Sequence, residues 1–524
     1  MAAEYDILTF MRIKNSMKNM IYIYSSTLLI VILNFIVRKV FLDVLTVDYL
    51  GYDGLFTSIF SFLSLSEMGI ATVITYHMYS EIAAENTFQI RKLLYTYKLI
   101  YRIVGTVVLV LGIIASFFIP LMLNDSQKDS WVFIYSIYFL QLIATLCTYF
   151  LAYRRILFIT HQRIYVCTAV DTATNIVSVI LKMVVLLTLR NYIVYLLIAI
   201  IGNVVSNLII SIKSKKEYPE ITSVEITRQD LRDLNLFQDV KNMLATKIAV
   251  TIYGAADDVI ITYMLGITTG GLLNNYKMIT SKIQELILSL FNSLQASIGS
   301  LVYDNDKEKG KAFFKALDLL GFLMAIVAST GIITVSQNFI KLWLKDEKYI
   351  LPFSFLIVLG INVFIAIANN PMNYFRNSLG HFETDRNYMI AAAVVNIILS
   401  IILCIPLKLT GIFIGTVVGH LIIFTGRTIV VHKFFLEQSP IKYYLLFGFR
   451  FILLGISVTA SVLLSNLLTN LIGNLLLSVI VSALVSIIIS VIIFAVSSIK
   501  SEAFKVLLNY FKTVLNMLFK KKNA

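Results

Sequence analysis

Residues 474–497 read NLLLSVIVSALVSIIISVIIFAVS, 24 positions without one charged side chain. An α-helix needs about 20 such residues to cross the hydrocarbon core of a bilayer. Runs of similar length and apolarity recur from one end of the chain to the other. Composition agrees: of 524 residues 58% are hydrophobic and only 14% charged, with a mean hydropathy of +0.84. Soluble domains keep roughly a quarter of their residues charged, and membrane barrels show shorter, alternating segments. The fold class is therefore an all-α integral membrane protein.

Length and apolarity place about 14 transmembrane helices. The first six lie near 21–41, 54–76, 99–123, 131–152, 164–188 and 192–211. The next six lie near 243–265, 272–302, 312–336, 351–375, 388–409 and 411–433, followed by 443–468 and 474–497. The first run, from Ile21 to Phe41, is too long for a signal-peptide core and lacks a small-residue cleavage site, so it is expected to stay as a span. Cys147, Cys167 and Cys404 all fall in apolar runs, where a cysteine packs as a small hydrophobe and no disulfide framework is expected.

Basic residues cluster at alternate loops. Arg12, Lys14 and Lys18 precede the first span, Arg154, Arg155 and Arg163 follow the fourth, and Lys520 to Lys522 end the chain. The loop after the first span carries Asp43, Asp48 and Asp53 instead. With an even number of spans, the positive-inside rule puts both termini in the cytoplasm of a plasma-membrane protein. One external loop, WLKDEKYI, runs against this bias. The net charge of +14 follows from the same loop bias and from anionic lipid, so nucleic acid is not implied.

The longest polar stretch, 212–242, separates six spans from the rest. Landmarks repeat across it. Tyr49-Leu50-Gly51 and Gly54-Leu55 are echoed by Met264-Leu265-Gly266 and Gly271-Leu272, and Gln162-Arg163-Ile164-Tyr165 by Asp385-Arg386-Asn387-Tyr388, at offsets of roughly 215 to 223 residues. A duplicated unit fits this pattern, as does chance between short motifs. With duplication the layout is an N-terminal six-helix bundle (1–211), a cytoplasmic linker (212–242), a C-terminal six-helix bundle (243–433) and two extra transmembrane helices (434–499). An amphipathic cytoplasmic tail (500–524) follows. Units with an even number of spans insert the same way up and are related by an axis along the membrane normal. In the tail, Phe504, Leu507, Leu508, Phe511, Val514, Leu515 and Leu518 share one helical face, as in a membrane-surface helix.

Charges inside spans are costly, about 2.5–3.5 kcal/mol each on insertion scales. Glu67, Asp171, Lys182, Asp257, Asp258 and Glu285 fall well inside spans, and Arg38, Lys247, Arg427 and Arg450 nearer their ends. Two readings stay open: structural pairs and snorkelling side chains, or a water-filled cavity lined by these groups. Lys282 and Glu285, three apart on a helix, can simply pair. Asp257 and Asp258 project roughly 100° apart, so on the cavity reading one is expected to face in and the other to lie beside it or pair. Asn369-Asn370-Pro371 interrupts the tenth span. No metal-ligand, phosphate-loop or nucleophile motif is present. Neither an enzyme nor a cofactor is expected.

The run RIKNSMKNM before the first span, then VRKVFLDVLTVDYLGYDGLFTSIFSFLSLSEMGIATVITY, resembles Gram-positive polysaccharide transporters of the Wzx-like flippase family. These belong to the multidrug/oligosaccharidyl-lipid/polysaccharide superfamily. RIVG, DDVIITYMLG and YFRNSLGHFETDRNY add weaker matches. The resemblance implies two pseudo-symmetric six-helix bundles plus two C-terminal helices around a central cavity. It also implies alternating-access translocation of undecaprenyl-diphosphate-linked oligosaccharide repeat units for capsular, exopolysaccharide or cell-wall polysaccharide. Arg38, Glu67 and Asp257 fall on its recurring motif positions. Asp258 stands where the family usually has Asn, and His161 where it has Asp. Candidate transport residues are thus Arg38, Glu67, Lys182, Lys247, Asp257, Asp258, Arg427 and Arg450, the basic ones suiting diphosphate oxygens. Expected partners are a polyprenyl-diphosphate-linked oligosaccharide, membrane lipids, and a polysaccharide polymerase with its assembly proteins. Two alternatives remain: a cation-coupled multidrug exporter of the same superfamily, and a membrane-embedded polymerase or acyltransferase.

Overall fold

The structure is a computed structural model that describes residues 25–63, 74–123, 129–222, 256–302, 307–379 and 382–509, apart from 76, 80, 83 and 162. Glu67, Lys247, linker positions 223–242 and tail positions 510–524 lie outside the described residues. The described secondary structure is helical throughout. Nine of its helices are long and apolar enough to cross a membrane. One of these contains two antiparallel spans, described below. By contacts the chain divides into two units, Met1–Gly271 and Leu272–Ala524.

In the first unit, α1 (25–44) leads after a three-residue turn into α2 (Asp48–Leu63). The second span thus begins earlier than hydropathy suggests, and Asp48 and Asp53 are helix residues rather than loop residues. A carboxylate in the first turn complements the helix N-terminus, so this polar start does not disrupt the helix. Then come α3 (Thr87–Ser116), α4 (Trp131–Leu151), the short α5 (Arg155–Thr160), α6 (Ile164–Thr188) and α7 (Tyr192–Glu217). Capping is local: the Asn86, Ser130 and Asn191 side chains accept from the first free backbone N–H groups of α3, α4 and α7. Helix α7 continues past the sixth expected span into the linker. A further helix, α8 (256–265), ends at Gly266, whose φ of 88° permits the break before α9 (Ile267–Val302).

The second unit contains α10 (Lys307–Leu344), α11 (Phe353–Ala368) and α12 (Asn370–Leu379). The division between α11 and α12 falls at Asn369, where the Asn-Asn-Pro run predicts an interruption. Next, α13 (Phe382–Val431) is two antiparallel arms joined at Lys408, the residue with non-helical φ and ψ of 50° and −131°. This agrees with the two spans expected there. The arms are locked by Asn396 Nδ2 donating to Thr416 Oγ1 at 3.2 Å and Ser400 Oγ donating to the Ile412 carbonyl at 3.1 Å. Helices α14 (Ile441–Thr469) and α15 (Leu475–Ser498) complete the set.

The buried face of α15 is a serine stripe: Ser478, Ser482, Ser486 and Ser490 recur every fourth residue. Ser457, Ser461 and Ser465 do the same on α14. Small hydroxyl residues let apolar helices approach closely and bond across the seam, where hydrocarbon supplies no hydrophobic driving force. Thr330 on α10, Ser457 on α14 and Ser490 on α15 are linked in one chain of two 3.0 Å hydroxyl contacts.

Candidate functional site

Two cations of the first unit converge on a carboxylate of α2. Asp53 Oδ1 accepts from Gln141 Nε2 of α4 at 2.9 Å. Two cations act electrostatically on the same carboxylate, Arg38 from α1 and Lys182 from α6. Arg38 is half-buried and its Nη1 is enclosed without a hydrogen-bond partner. Lys182 Nζ lies 4.8 Å from the Tyr195 ring centroid, a cation–π placement. Tyr195 packs edge-on against Phe41 at 5.4 Å, and Phe41 meets Tyr192 at 5.6 Å. Tyr192 in turn stacks on Tyr49 at 5.0 Å. Five helices thus bring two cations, one carboxylate and a cluster of aromatic rings together.

Lys182 also lines a polar cavity of about 560 Å³ between α4, α6 and α7, with Asn175, Ser178 and Asn203 on its walls. Asp171 and Arg155 border it as a bidentate pair, both N···O distances 2.7 Å. Ser206 Oγ donates to Asp171 at 2.5 Å, and Arg155 Nε donates to Asn207 at 2.7 Å. Arg155 is therefore a helix residue neutralising Asp171, not a free loop cation. The cavity also explains how this pair is tolerated, since intramembrane charges persist where they are paired and hydrated.

A second set of contacts surrounds the double aspartate. Asp257 is buried, and Asp258 Oδ2 accepts from Ser58 Oγ of α2 at 2.6 Å. Just beyond, Thr268 Oγ1 donates to Asp48 Oδ1 at 2.5 Å. A Cβ on Gly51 would collide with the Ile267 carbonyl oxygen, and one on Gly271 with that of Val47. The glycine landmarks that echo each other in sequence are thus where two backbones touch.

Residues 16–294 of the chain match the family described as polysaccharide biosynthesis protein. The chain belongs to that family. Among curated proteins, none matches it in sequence. Its fold is shared with solved transporters of low sequence identity. A lipid II flippase, MurJ, in an inward-closed conformation aligns at TM-score 0.65 and 15% identity, covering 92% of this chain and 99% of that one. An inward-facing multidrug resistance MATE family transporter of the MOP superfamily aligns at 0.61 and 12%, covering 77% and 94%. A MOP superfamily transporter from Pyrococcus furiosus aligns at 0.57 and 12%, covering 82% and 96%. The fold of this family member is that of MOP-superfamily transporters.

Arg427 and Arg450 fall in the second unit. Arg450 is only 5% exposed, and its Nη2 meets Asp318 Oδ2 at 2.6 Å, while Tyr443 donates its hydroxyl to the other oxygen at 2.6 Å. Arg450 thus forms a buried ion pair with Asp318 inside the second unit. Nothing in the sequence placed Asp318 opposite Arg450, because the two lie 132 positions apart. Arg427 sits on the second arm of α13, close enough to His420 to act on it electrostatically. Lys282 and Glu285 pair within α9 at 2.7 Å, the plainer of their two readings. Outside the membrane, burial pushes the His161 imidazole below its ordinary pKa. Its Nδ1–H donates to the Leu157 carbonyl at 2.7 Å, so a neutral ring caps α5. Sequence reasoning missed Asp53, Gln141 and the tyrosines. The available signal was the TVDYLGYDGL run, which reads as a loop until its carboxylates are placed on a helix.

Proposed function

We propose that this protein translocates a polyprenyl-diphosphate-linked oligosaccharide across the plasma membrane by alternating access, supplying polysaccharide assembly outside the cell. The convergence of Arg38 and Lys182 on Asp53 carries the reading. A diphosphate brings more negative charge than Asp53 alone supplies, and guanidinium and ammonium groups suit phosphate oxygens. Asp53 keeps the cations compensated when no phosphate is present. Hydroxyl and amide side chains in the adjoining cavity match the hydrogen-bonding needs of sugar hydroxyls, and the polyprenyl tail can remain in lipid. Membership in the polysaccharide biosynthesis family and the fold shared with a lipid II flippase support the same direction. A cationic drug, by contrast, would meet two like charges at this point.

The test is deletion in the native host. Loss of the protein should leave lipid-linked oligosaccharide on the cytoplasmic leaflet while surface polymer falls. If the lipid-linked intermediate is never made, a synthetic enzyme replaces the transport reading. If polymer is unchanged and sensitivity to cationic drugs rises, the exporter reading replaces it.

A further inference from the structure

The second unit contains a cavity that the transport reading does not use. About 560 Å³ in volume, it opens between the first turns of α10, the start of α14 and the end of α15. These helix ends lie together at one end of three candidate membrane-spanning helices. The cavity has three layers. Its floor is the Asp318–Arg450–Tyr443 cluster, internally neutral. Its wall is apolar, with Leu446, Phe449 and Leu453 at the spacing of one helical stripe along α14. Leu446 is 42% and Phe449 50% exposed, so the stripe is accessible from outside the helix bundle as well as lining the cavity.

The mouth carries Lys311, Lys315 and Lys442. Lys311 is offset by Glu308 at 3.0 Å. Lys315 and Lys442 are both exposed, and neither has a carboxylate partner among the described residues. Gln438 and Ser439 add polar groups beside them. Lys442 also stands in the first turn of α14, where the helix terminus favours an anion. Two uncompensated ammonium groups above an apolar slot match one kind of occupant, an anion joined to a hydrocarbon chain.

We propose that this cavity binds an anionic phospholipid of the surrounding membrane, its phosphate between Lys315 and Lys442 and an acyl chain along Leu446, Phe449 and Leu453. A soluble anion would gain nothing from the wall, and a zwitterionic lipid would gain little from the lysines. The bound lipid would tie α14 and α15 to α10 at the membrane surface.

The experiment uses the purified full chain in nanodiscs, with lipid retention read by native mass spectrometry. Phosphatidylglycerol and phosphatidylcholine of identical acyl chains are compared, and inorganic phosphate is the soluble competitor. Phosphatidylglycerol should be retained about thirtyfold more strongly, since each of the two lysines near an anionic headgroup contributes on the order of 1 kcal/mol. The Lys315→Gln/Lys442→Gln variant should lose that preference while unfolding at the wild-type temperature. Lys315→Arg/Lys442→Arg should keep it. Equal retention of the two lipids, or a preference untouched by the glutamine variant, would overturn the assignment. Displacement of the lipid by millimolar phosphate would also overturn it, making the mouth a free-anion site. If the glutamine variant unfolds early, the arginine variant still decides, because loss of the preference there refutes the phosphate contact.

Discussion

Arg38 and Lys182 share one carboxylate but need not be equivalent. Arg38 comes from α1 with an enclosed nitrogen that makes no bond, whereas Lys182 rests against a tyrosine ring. A hydrogen bond to a charged group is worth about 1.5–3 kcal/mol, so losing one from a phosphate should lower transport on the order of tenfold or more. Arg38→Gln is expected to do so at normal abundance, and Arg38→Lys to recover part of it, because a point charge replaces a planar fork. Surface polymer measured against protein level in a complemented deletion strain checks both; full export by Arg38→Gln would remove it from the site. For the double aspartate the expectation differs by position. Asp258→Asn still offers an oxygen to Ser58, so only a mild defect should follow. Asp257→Asn removes a buried charge at nearly constant volume and should insert normally while export drops sharply. Full export by Asp257→Asn at matched protein abundance would show that the Asp257 charge is dispensable.

Elements show which parts of this fold can be read in the sequence. Charge-free runs announce the spans, and the Asn-Asn-Pro run marks the break between α11 and α12. The serine stripe of α15 is also written plainly, one residue in four. The junction at Lys408 is less visible, because the residue that turns is neither Gly nor Asn, although Pro406 and Gly411 flank it. Pairings between helices are not legible at all. The Arg155–Asp171 and Arg450–Asp318 pairs depend on which helix faces are apposed, and periodicity leaves that open. The glycine contacts lie between these extremes: their echo is visible in sequence, their touching is not. Gly51→Val should force the α2 backbone away from Ile267, an overpacking cost of about 1–3 kcal/mol, and lower the unfolding temperature in detergent. Gly448→Val, on α14 where an added Cβ meets nothing within 4 Å, is the control. Equal unfolding temperatures for the two variants would mean that the close approach is absent. Asp318→Asn should be harsher. It leaves the Arg450 guanidinium buried without its counter-charge, a loss of about 3–5 kcal/mol, whereas an apolar pair at both positions should restore much of the stability.

Across the whole molecule, we propose that both termini face the cytoplasm, an orientation for which the even span count and the loop charges argue together. The strongest objection is the loop WLKDEKYI, expected outside yet rich in lysine. In the fold both of its carboxylates are paired, Asp346 with Lys348 at 2.8 Å and Glu347 with Lys341 of α10 at 2.5 Å, and its two lysines, Lys345 and Lys348, equal them in number. The pairing also holds both carboxyls below their ordinary pKa, mainly through hydrogen bonds to Lys348 and Lys341. The loop therefore presents little net positive charge to retain it in the cytoplasm. The segment after α7 is different. Lys213, Lys215 and Lys216 follow one another within a single turn of its end, and only one acid, Glu217, adjoins them. Basic residues this close to a span resist translocation. A cysteine placed at Lys216 should therefore stay unlabelled by an impermeant thiol reagent in intact cells and react once the membrane is opened. A cysteine at Lys348, whose side chain is 62% exposed, should react in intact cells, with the three native cysteines first replaced by serine or alanine. Labelling of the Lys216 position alone would invert the orientation. Labelling of both in intact cells would break the even count, since residues 216 and 348 would then share a side of the membrane.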